Sequence, residues 1–350
     1  MLYILDSYNN PFSFSYRYDT ATSTLTSLSF AGLRYPGPEY EYLTSLEYVP
    51  GSCELLVWNH GFLQKVPITF DYTEVTTKPT PRTTSDLPTL SCGSSTKIIS
   101  SISLGIGNSM DLSSGLGTHG WWFVDPIDST VWVMKGYDKA NTLERYTNEM
   151  SILSNPIKNI TLRQSCDGTG HAIYAGYFYC NLASSNRVVK IQISTKENVG
   201  EVTLKDAGFQ NTYPYDWGGF SDIDLALDNG NRLYAIYGSI QNEGNFAIAL
   251  LDIDTLVIVE TWQLDVKKRR AGNAFMANGI LYILDTYRSP SYFTHYFDTT
   301  RNRLISLSSN ELSYPGRSKK SYLTALEFIP GRCELLAWDS GFIQKMSLSF

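Results

Sequence analysis

Residues 2 to 70 match residues 281 to 350 almost end to end, and no other feature of the 350-residue chain constrains its organisation as strongly. Leu-Tyr-Ile-Leu-Asp at 2–6 returns at 281–285, and Tyr35-Pro36-Gly37 returns as Tyr314-Pro315-Gly316. Pro50-Gly51-Ser52-Cys53-Glu54-Leu55-Leu56 returns as Pro330-Gly331-Arg332-Cys333-Glu334-Leu335-Leu336. Such a period is far too long for one propeller blade or solenoid unit, so it points to duplication of a whole domain. The front of the chain, 1–70, is then expected to be the tail of a domain whose beginning is missing. Between the copies, Thr76-Thr77-Lys78-Pro79-Thr80-Pro81-Arg82-Thr83-Thr84-Ser85 has almost no apolar content and reads as a semi-extended, solvated linker over 71–91. A complete unit is expected over 92–350.

Within that unit, short runs rich in Val, Ile, Tyr and Trp recur between turn signals, and no helical period is sustained. The expected fold is all-β. Strands are expected at 121–124, 131–137, 172–180 with a turn near Gly176, 187–193, 221–228, 233–237, 246–252, 259–264 and 280–285. The set continues at 292–298, 303–307, 323–329, 334–339 and 342–350. So many short antiparallel strands favour a propeller, with a sandwich or barrel as the alternative. The 24 Tyr, 16 Phe and 26 Gly suit an aromatic, turn-rich β protein. A formal net charge of -6 argues against nucleic acid or an anionic membrane as the main partner, and no apolar run reaches the length of a membrane span. Met1-Leu-Tyr-Ile-Leu-Asp begins as a strand with no visible signal peptide, which implies either a cytosolic protein or an incomplete chain.

The stretch Tyr213-Pro-Tyr-Asp-Trp-Gly-Gly-Phe-Ser-Asp-Ile-Asp-Leu-Ala-Leu-Asp228 is the main chemical signal. At period two, Asp222, Asp224 and Asp228 share one face, so the carboxylates must be wet, paired or metal-bound. Oxygen donors of that kind suit a hard cation such as calcium or sodium, while the simpler expectation is a strand at a solvent-facing edge. None of His60, His119, His171 and His295 has an acid at a spacing that suggests a base or a metal ligand, and Ser221 lacks a nucleophile elbow. Lys267-Lys268-Arg269-Arg270 reads as a solvated loop. The five cysteines, Cys53, Cys92, Cys166, Cys180 and Cys333, form no CxxC pair. Cys166 and Cys180 flank an expected hairpin, but spacing leaves their pairing open and the balance leans against it. Asn159-Ile160-Thr161 is a glycosylation sequon.

Several blocks together resemble one family. They are Trp121-Trp-Phe-Val-Asp-Pro126, Gly168-Thr-Gly-His-Ala-Ile-Tyr-Ala-Gly176, Trp217 to Asp228, Glu260-Thr-Trp262, Gly272-Asn-Ala-Phe-Met276, Gly279-Ile-Leu-Tyr282 and Leu335-Leu-Ala-Trp-Asp-Ser-Gly341. In order and spacing, 92–350 resembles the olfactomedin domain of noelins, myocilin and gliomedin, and 1–70 resembles the last part of a second one. The resemblance implies a five-bladed β-propeller, preceded here by an incomplete propeller fragment. It implies an extracellular, non-catalytic recognition, adhesion or matrix module whose partner is a cell-surface or matrix protein, with self-association open. A structural calcium in the channel is implied as well. Carried over, its ligands are Asp224, Asn273, Ala274, Leu326 and Glu327, with Leu225 serving an adjacent sodium. The late acidic position is usually Asp, and Glu327 departs from that, as does Glu47 in the first copy. The family's disulfide would join Cys92 to position 278, where Asn278 stands. A calcium-dependent propeller hydrolase of the lactonase or esterase kind is the alternative function.

Overall fold

The computed structural model describes residues 98–111, 117–308, 311–316 and 321–350, with side chains left out at 104–111 and 153, and the backbone of six strands within 2–67. Linker 71–91, Cys53, Cys92, His60 and the side chain of Glu47 lie outside the described residues. The chain divides into two compact units, Met1–Lys78 and Pro79–Phe350. In the first unit, β1 (Leu2–Leu5), β2 (Phe14–Asp19) and β3 (Thr24–Ser27) form one antiparallel sheet. A second antiparallel sheet contains β4 (Leu43–Val49), β5 (Glu54–Asn59) and β6 (Phe62–Pro67).

Among the described residues, the second unit is all-β apart from 3-10 turns at Glu149–Leu153 and Lys268–Arg270. Its strands are β7 (Ser101–Asp111), β8 (Gly120–Val124), β9 (Val131–Lys135), β10 (Ala140–Tyr146), β11 (Lys158–Tyr174), β12 (Tyr177–Leu182), β13 (Arg187–Gln192) and β14 (Glu197–Thr203). There follow β15 (Ile223–Asp228), β16 (Arg232–Gly238), β17 (Asn245–Leu251), β18 (Ile258–Lys267), β19 (Asn273–Ala277), β20 (Ile280–Leu284), β21 (Phe293–Asp298) and β22 (Arg303–Ser306). The last three are β23 (Leu323–Ile329), β24 (Glu334–Asp339) and β25 (Phe342–Ser349). Three sheets have four strands each, in the orders β15-β16-β17-β18, β19-β20-β21-β22 and β23-β24-β25-β7. In the last of these, β7 from the unit's beginning pairs antiparallel with β25 from its end.

The fourth sheet has seven strands, β14-β13-β12-β11-β10-β9-β8, because the 17-residue β11 serves two neighbours in succession. Its first part pairs with β10 (Thr142↔Thr161, Arg145↔Lys158) and its last part with β12 (Ala172↔Tyr179, Tyr174↔Tyr177), with register breaks in between. Connections are tight where the sequence permits left-handed backbone. Asn278 and Gly279 (φ 55° and 75°) make the two-residue β19–β20 turn, the asparagine-glycine pair that a type I′ hairpin favours.

β8, β15, β19 and β23 are buried at every position, while the outer strands β14 and β18 are largely exposed. β8 packs on β11, β11 on β15, β15 on β19, β19 on β23, and β23 on β8 again. Aromatic side chains fill the space between sheets, and the Trp122 indole N–H donates to the Ala337 carbonyl at 2.9 Å. Most expected strands are present within a residue or two. β7, β10, β14, β19 and the start of β11 were not anticipated, since their sequences are polar, glycine-containing or short of β-branched residues.

Cys166 and Cys180 form a disulfide between β11 and β12, against the balance of the sequence reading. Spacing carries no information on strand register, and here Cys166 lies opposite Leu182, next to a register shift, which brings Cys180 within a Cα separation of 5.9 Å. Cys333 is also disulfide-bonded.

Candidate metal centre

The three acids of the Tyr213–Asp228 stretch are all buried, at 1%, 7% and 0% exposure for Asp222, Asp224 and Asp228. The solvent-edge expectation fails because β15 is the innermost strand of its sheet and packs on β11, β19 and β23. The three carboxylates have separate tasks. Asp222, just before the strand, accepts the backbone N–H groups of Asn211 (2.7 Å) and Tyr213 (2.6 Å) and so pins the incoming loop. Asp228 accepts the N–H groups of Asn278 and Gly279, each at 2.6 Å, and the Arg232 guanidinium at 2.7 Å. It therefore holds the next sheet's first turn, where Asn278 itself sits.

Asp224 faces the strands that pack in a circle. Its Oδ2 accepts the Tyr215 hydroxyl at 2.7 Å. Gly170 of β11 passes so close that a Cβ there would stand 1.6 Å from Asp224 Oδ1, so that position cannot carry a side chain while Asp224 keeps its place. Glu327 on β23, only 4% exposed, lies near it. Burial first, and then the charge of Asp224, holds the Glu327 carboxyl well above the ordinary carboxylate range. Burial likewise raises Asp224 to about 6, opposed by Lys268 and the Tyr215 hydrogen bond.

Lys268 corrects the expectation of a solvated basic loop. The 3-10 turn leaves Arg269 and Arg270 exposed but turns Lys268 inward to complete burial. Its Nζ donates to the Ser221 carbonyl and lies 3.4 Å from the centre of the Tyr215 ring. Burial lowers its pKa to about 8, with Asp224 and Asp222 pulling the other way. Sequence pattern contains no signal for this, because a lysine in a basic run looks alike whether it points out or in.

Asp224, Asn273, Leu326 and Glu327 line one cleft together with Thr169 and Tyr215, and it is closed so tightly that no volume remains for a water molecule. The structure thus brings together four of the six residues carried over by resemblance. Ala274 and Leu225 do not line the cleft. They are buried in their ladders, paired with Ile283 and Ala235, and the Ala274 N–H is taken by Asn273 Oδ1 at 2.8 Å. Thr169 reaches across, its hydroxyl donating to the Thr324 carbonyl.

This donor set fits a hard cation. Every candidate ligand is an oxygen, and with both acids ionised two carboxylates face one ammonium, leaving a negative charge in excess in a dry cleft. No three His, Cys, Asp or Glu side chains converge among the described residues, so two carboxylates would be supplemented by neutral oxygens such as the Asn273 amide and the Leu326 carbonyl.

Residues 90–350 match the model of the Olfactomedin-like domain. The chain is 28% identical over 221 residues to myocilin of Canis lupus familiaris, covering 63% of this chain and 43% of that protein. It is 28% identical over 232 residues to myocilin of Oryctolagus cuniculus, covering 64% and 46%. The chain thus spans less than half the length of these relatives. Among solved structures, a Myxococcus xanthus glutaminyl cyclase aligns with TM-score 0.43 at 12% identity, over 71% of this chain and 96% of the other. The Myceliophteria thermophila Cps50 (Swd1) β-propeller domain aligns at 0.36 and 12%, over 63% and 66%. Likenesses at these TM-scores bear on neither mechanism nor partner.

Proposed function

Because the chain belongs to the olfactomedin-like domain family over residues 90–350, we propose that it is an extracellular, non-catalytic recognition module of the adhesion or matrix type, built on a five-bladed β-propeller with calcium at its centre. The observation that carries the proposal is the meeting of Asp224, Glu327, Asn273 and Leu326 in one buried cleft whose candidate ligands are all oxygens. Bound calcium would favour the ionised form of both acids, neutralise their charge and tie β15, β19 and β23 to one another. Asp224, Glu327, Asn273 and Leu326 would hold it, with Ala274 brought in as a further carbonyl and Leu225 serving an adjacent sodium. Five blades follow if the two parts of β11 are counted with their separate neighbours, the β7–β25 pairing then joining the ends.

A cleft without room for a water molecule has none for an ester or lactone, which supports a binding role over hydrolysis. The buried Cys166–Cys180 disulfide and the exposed sequon residue Asn159 suit an oxidising, extracellular setting, and the family relation supports the same location. We take 1–70 as the tail of a second domain of this family, tethered by 71–91, and the partner as a cell-surface or matrix protein that engages loops of the propeller. Self-association belongs to the same proposal.

Calorimetric titration of metal-stripped protein with calcium tests the centre, with melting in calcium and in chelator as a second readout. A cation bound only by the folded state stabilises by about 2.7 kcal/mol at 100 times its Kd. Asp224→Ala should abolish the calcium response and Glu327→Asp should retain or strengthen it. Absence of calcium binding, or an unchanged calcium dependence in Asp224→Ala, would overturn the proposal.

A further inference from the structure

A groove of about 350 Å³ opens beside the seven-stranded sheet, between residues of β9–β11 and residues of β12–β13. In the ladder, Arg145 of β10 lies directly opposite Trp132 of β9 on one side and Lys158 of β11 on the other. Directly paired residues share a face of the sheet, so the three side chains form one row, and all three line the groove. Tyr177 and Gln192, directly paired on β12 and β13, line it as well. The Arg145 guanidinium sits 5.9 Å from the centre of the Trp132 ring.

Like charges placed directly opposite destabilise a sheet. Among the described residues no carboxylate forms an ion pair with Arg145 or Lys158. Asp128 is the acid lining the groove, and its Oδ1 accepts the Thr130 N–H at 2.8 Å. Two unpaired cations side by side, in a chain of formal net charge -6, are an arrangement that folding alone does not favour. The indole N–H of Trp132, a residue only 6% exposed, has no hydrogen-bond partner. Gln192 Oε1 accepts the Thr195 hydroxyl at 3.1 Å, which leaves its amide N–H groups to donate.

We propose that this groove binds the carboxylate of an acidic sugar, with Arg145 and Lys158 on the anion, Trp132 and Tyr177 against the ring, and Gln192 on a hydroxyl. A guanidinium offers a carboxylate two parallel hydrogen bonds, and the adjacent ammonium adds a point charge. The volume is at the lower end of the range for small-ligand sites, enough for one or two sugar rings. Two cations flanked by aromatic rings suit one anionic group carried on a flat body. This groove and its ligand are separate from the metal centre, so either proposal can fail without the other.

The test is titration of the full chain with methyl glucuronide at low salt, followed by calorimetry and by backbone amide shifts. Saturable binding is expected, with shifts at Arg145, Lys158 and Tyr177, and the neutral methyl glucoside should bind about tenfold more weakly or not at all. Arg145→Gln and Lys158→Gln should each weaken binding about tenfold while leaving the melting temperature unchanged or raised, since each relieves the like-charge pair. Absence of saturable glucuronide binding, equal binding of the glucoside, or unchanged affinity in both variants would overturn the assignment. Binding of an oligoglutamate peptide without binding of the glucuronide would overturn it in favour of a peptide-docking groove.

Discussion

Lys190 and Lys268 both carry an ammonium group into the interior, and both set it on backbone carbonyls and over a tyrosine ring. At Lys190 the acceptors are the carbonyls of Ile253 and Asp254 and the Asp254 carboxylate, at 3.0, 3.1 and 3.4 Å, with the Tyr177 ring 4.3 Å away. One cation faces one acid there, and the Asp254 side chain is 39% exposed, so water shares the compensation. At Lys268 the acceptor is the Ser221 carbonyl, the ring is Tyr215, and the nearby acids are the buried Asp224 and Asp222, with Glu327 acting on Asp224 in turn. One cation stands near two carboxylates that water cannot reach. The first arrangement is complete in itself and fastens one sheet to the next. In the second, burial pushes both acids towards their neutral forms, and a bound cation would let both ionise, which is what makes it a candidate ion site.

The strongest way to break this comparison is Lys268→Met. It removes the ammonium but leaves Asp224 and Glu327 buried and close, and stripping one partner from a buried ionic group typically costs 3–5 kcal/mol, which we expect here at roughly that size. Calcium should recover much of the loss, because the ion would supply the missing positive charge. Urea unfolding of both proteins with chelator and with saturating calcium reads this directly. A variant as stable as the parent in chelator would mean that the two acids are neutral in the folded state and that no charge imbalance exists.

His171 sharpens the comparison, since it is a buried titratable group with no counter-charge. It lies between Trp121 and Phe178, with ring centroids 5.5 and 5.3 Å away, and burial drives its pKa to about 3 from 6.5. The folded state therefore keeps the ring neutral where the unfolded chain would take up a proton. Stability from this source is complete above pH 6.5 and is lost as pH falls from 6.5 towards 3, by about 1.4 kcal/mol per pH unit. Between pH 7.5 and pH 5 the parent should lose about 2 kcal/mol that His171→Phe does not lose. Urea unfolding at the two pH values measures the difference, and equal losses in both proteins would remove His171 from the account.

These centres were unequally legible. Asp224 and Asn273 could be named because each lies in a distinctive block, whereas Glu327 lies in none and was carried over only as what the resemblance implies for the late acidic position. Two of the strands carrying them, Ile223–Asp228 and Leu323–Ile329, are apolar enough for sequence to assign, whereas Asn273-Ala-Phe-Met-Ala277 has no β-branched residue. Lys268 was misassigned because its direction depends on a single 3-10 turn, and nothing local separates it from Arg269 or Arg270. The Arg145–Lys158 pair was hidden for a related reason. Thirteen positions apart, the two meet only through the register of β10 on β11, and polar strands such as Ala140–Tyr146 give little alternation to read. The Cys166–Cys180 bond was left open on the same ground. What sequence reports well is burial along one strand, and what it reports badly is register between strands.

Lys190→Met should produce the smallest effect of the three. The carbonyl of Ile253 also accepts the Tyr179 hydroxyl at 3.0 Å, so it stays satisfied when the ammonium is gone. Asp254 is exposed enough to regain water, and Asp252, which also attracts the ammonium, keeps its hydrogen bonds from Thr255. The loss is then that of one or two hydrogen bonds to a charged group and of a cation–ring contact, partly returned by the fit of a methionine stem along the same path, or about 1–2 kcal/mol. Because the outer pair is balanced without an added ion, that loss should be the same in calcium and in chelator. Urea unfolding under both conditions provides the check. A loss equal to that of Lys268→Met, or one that calcium repairs, would mean that the two lysines belong to one coupled network and that the contrast between clasp and ion site does not hold.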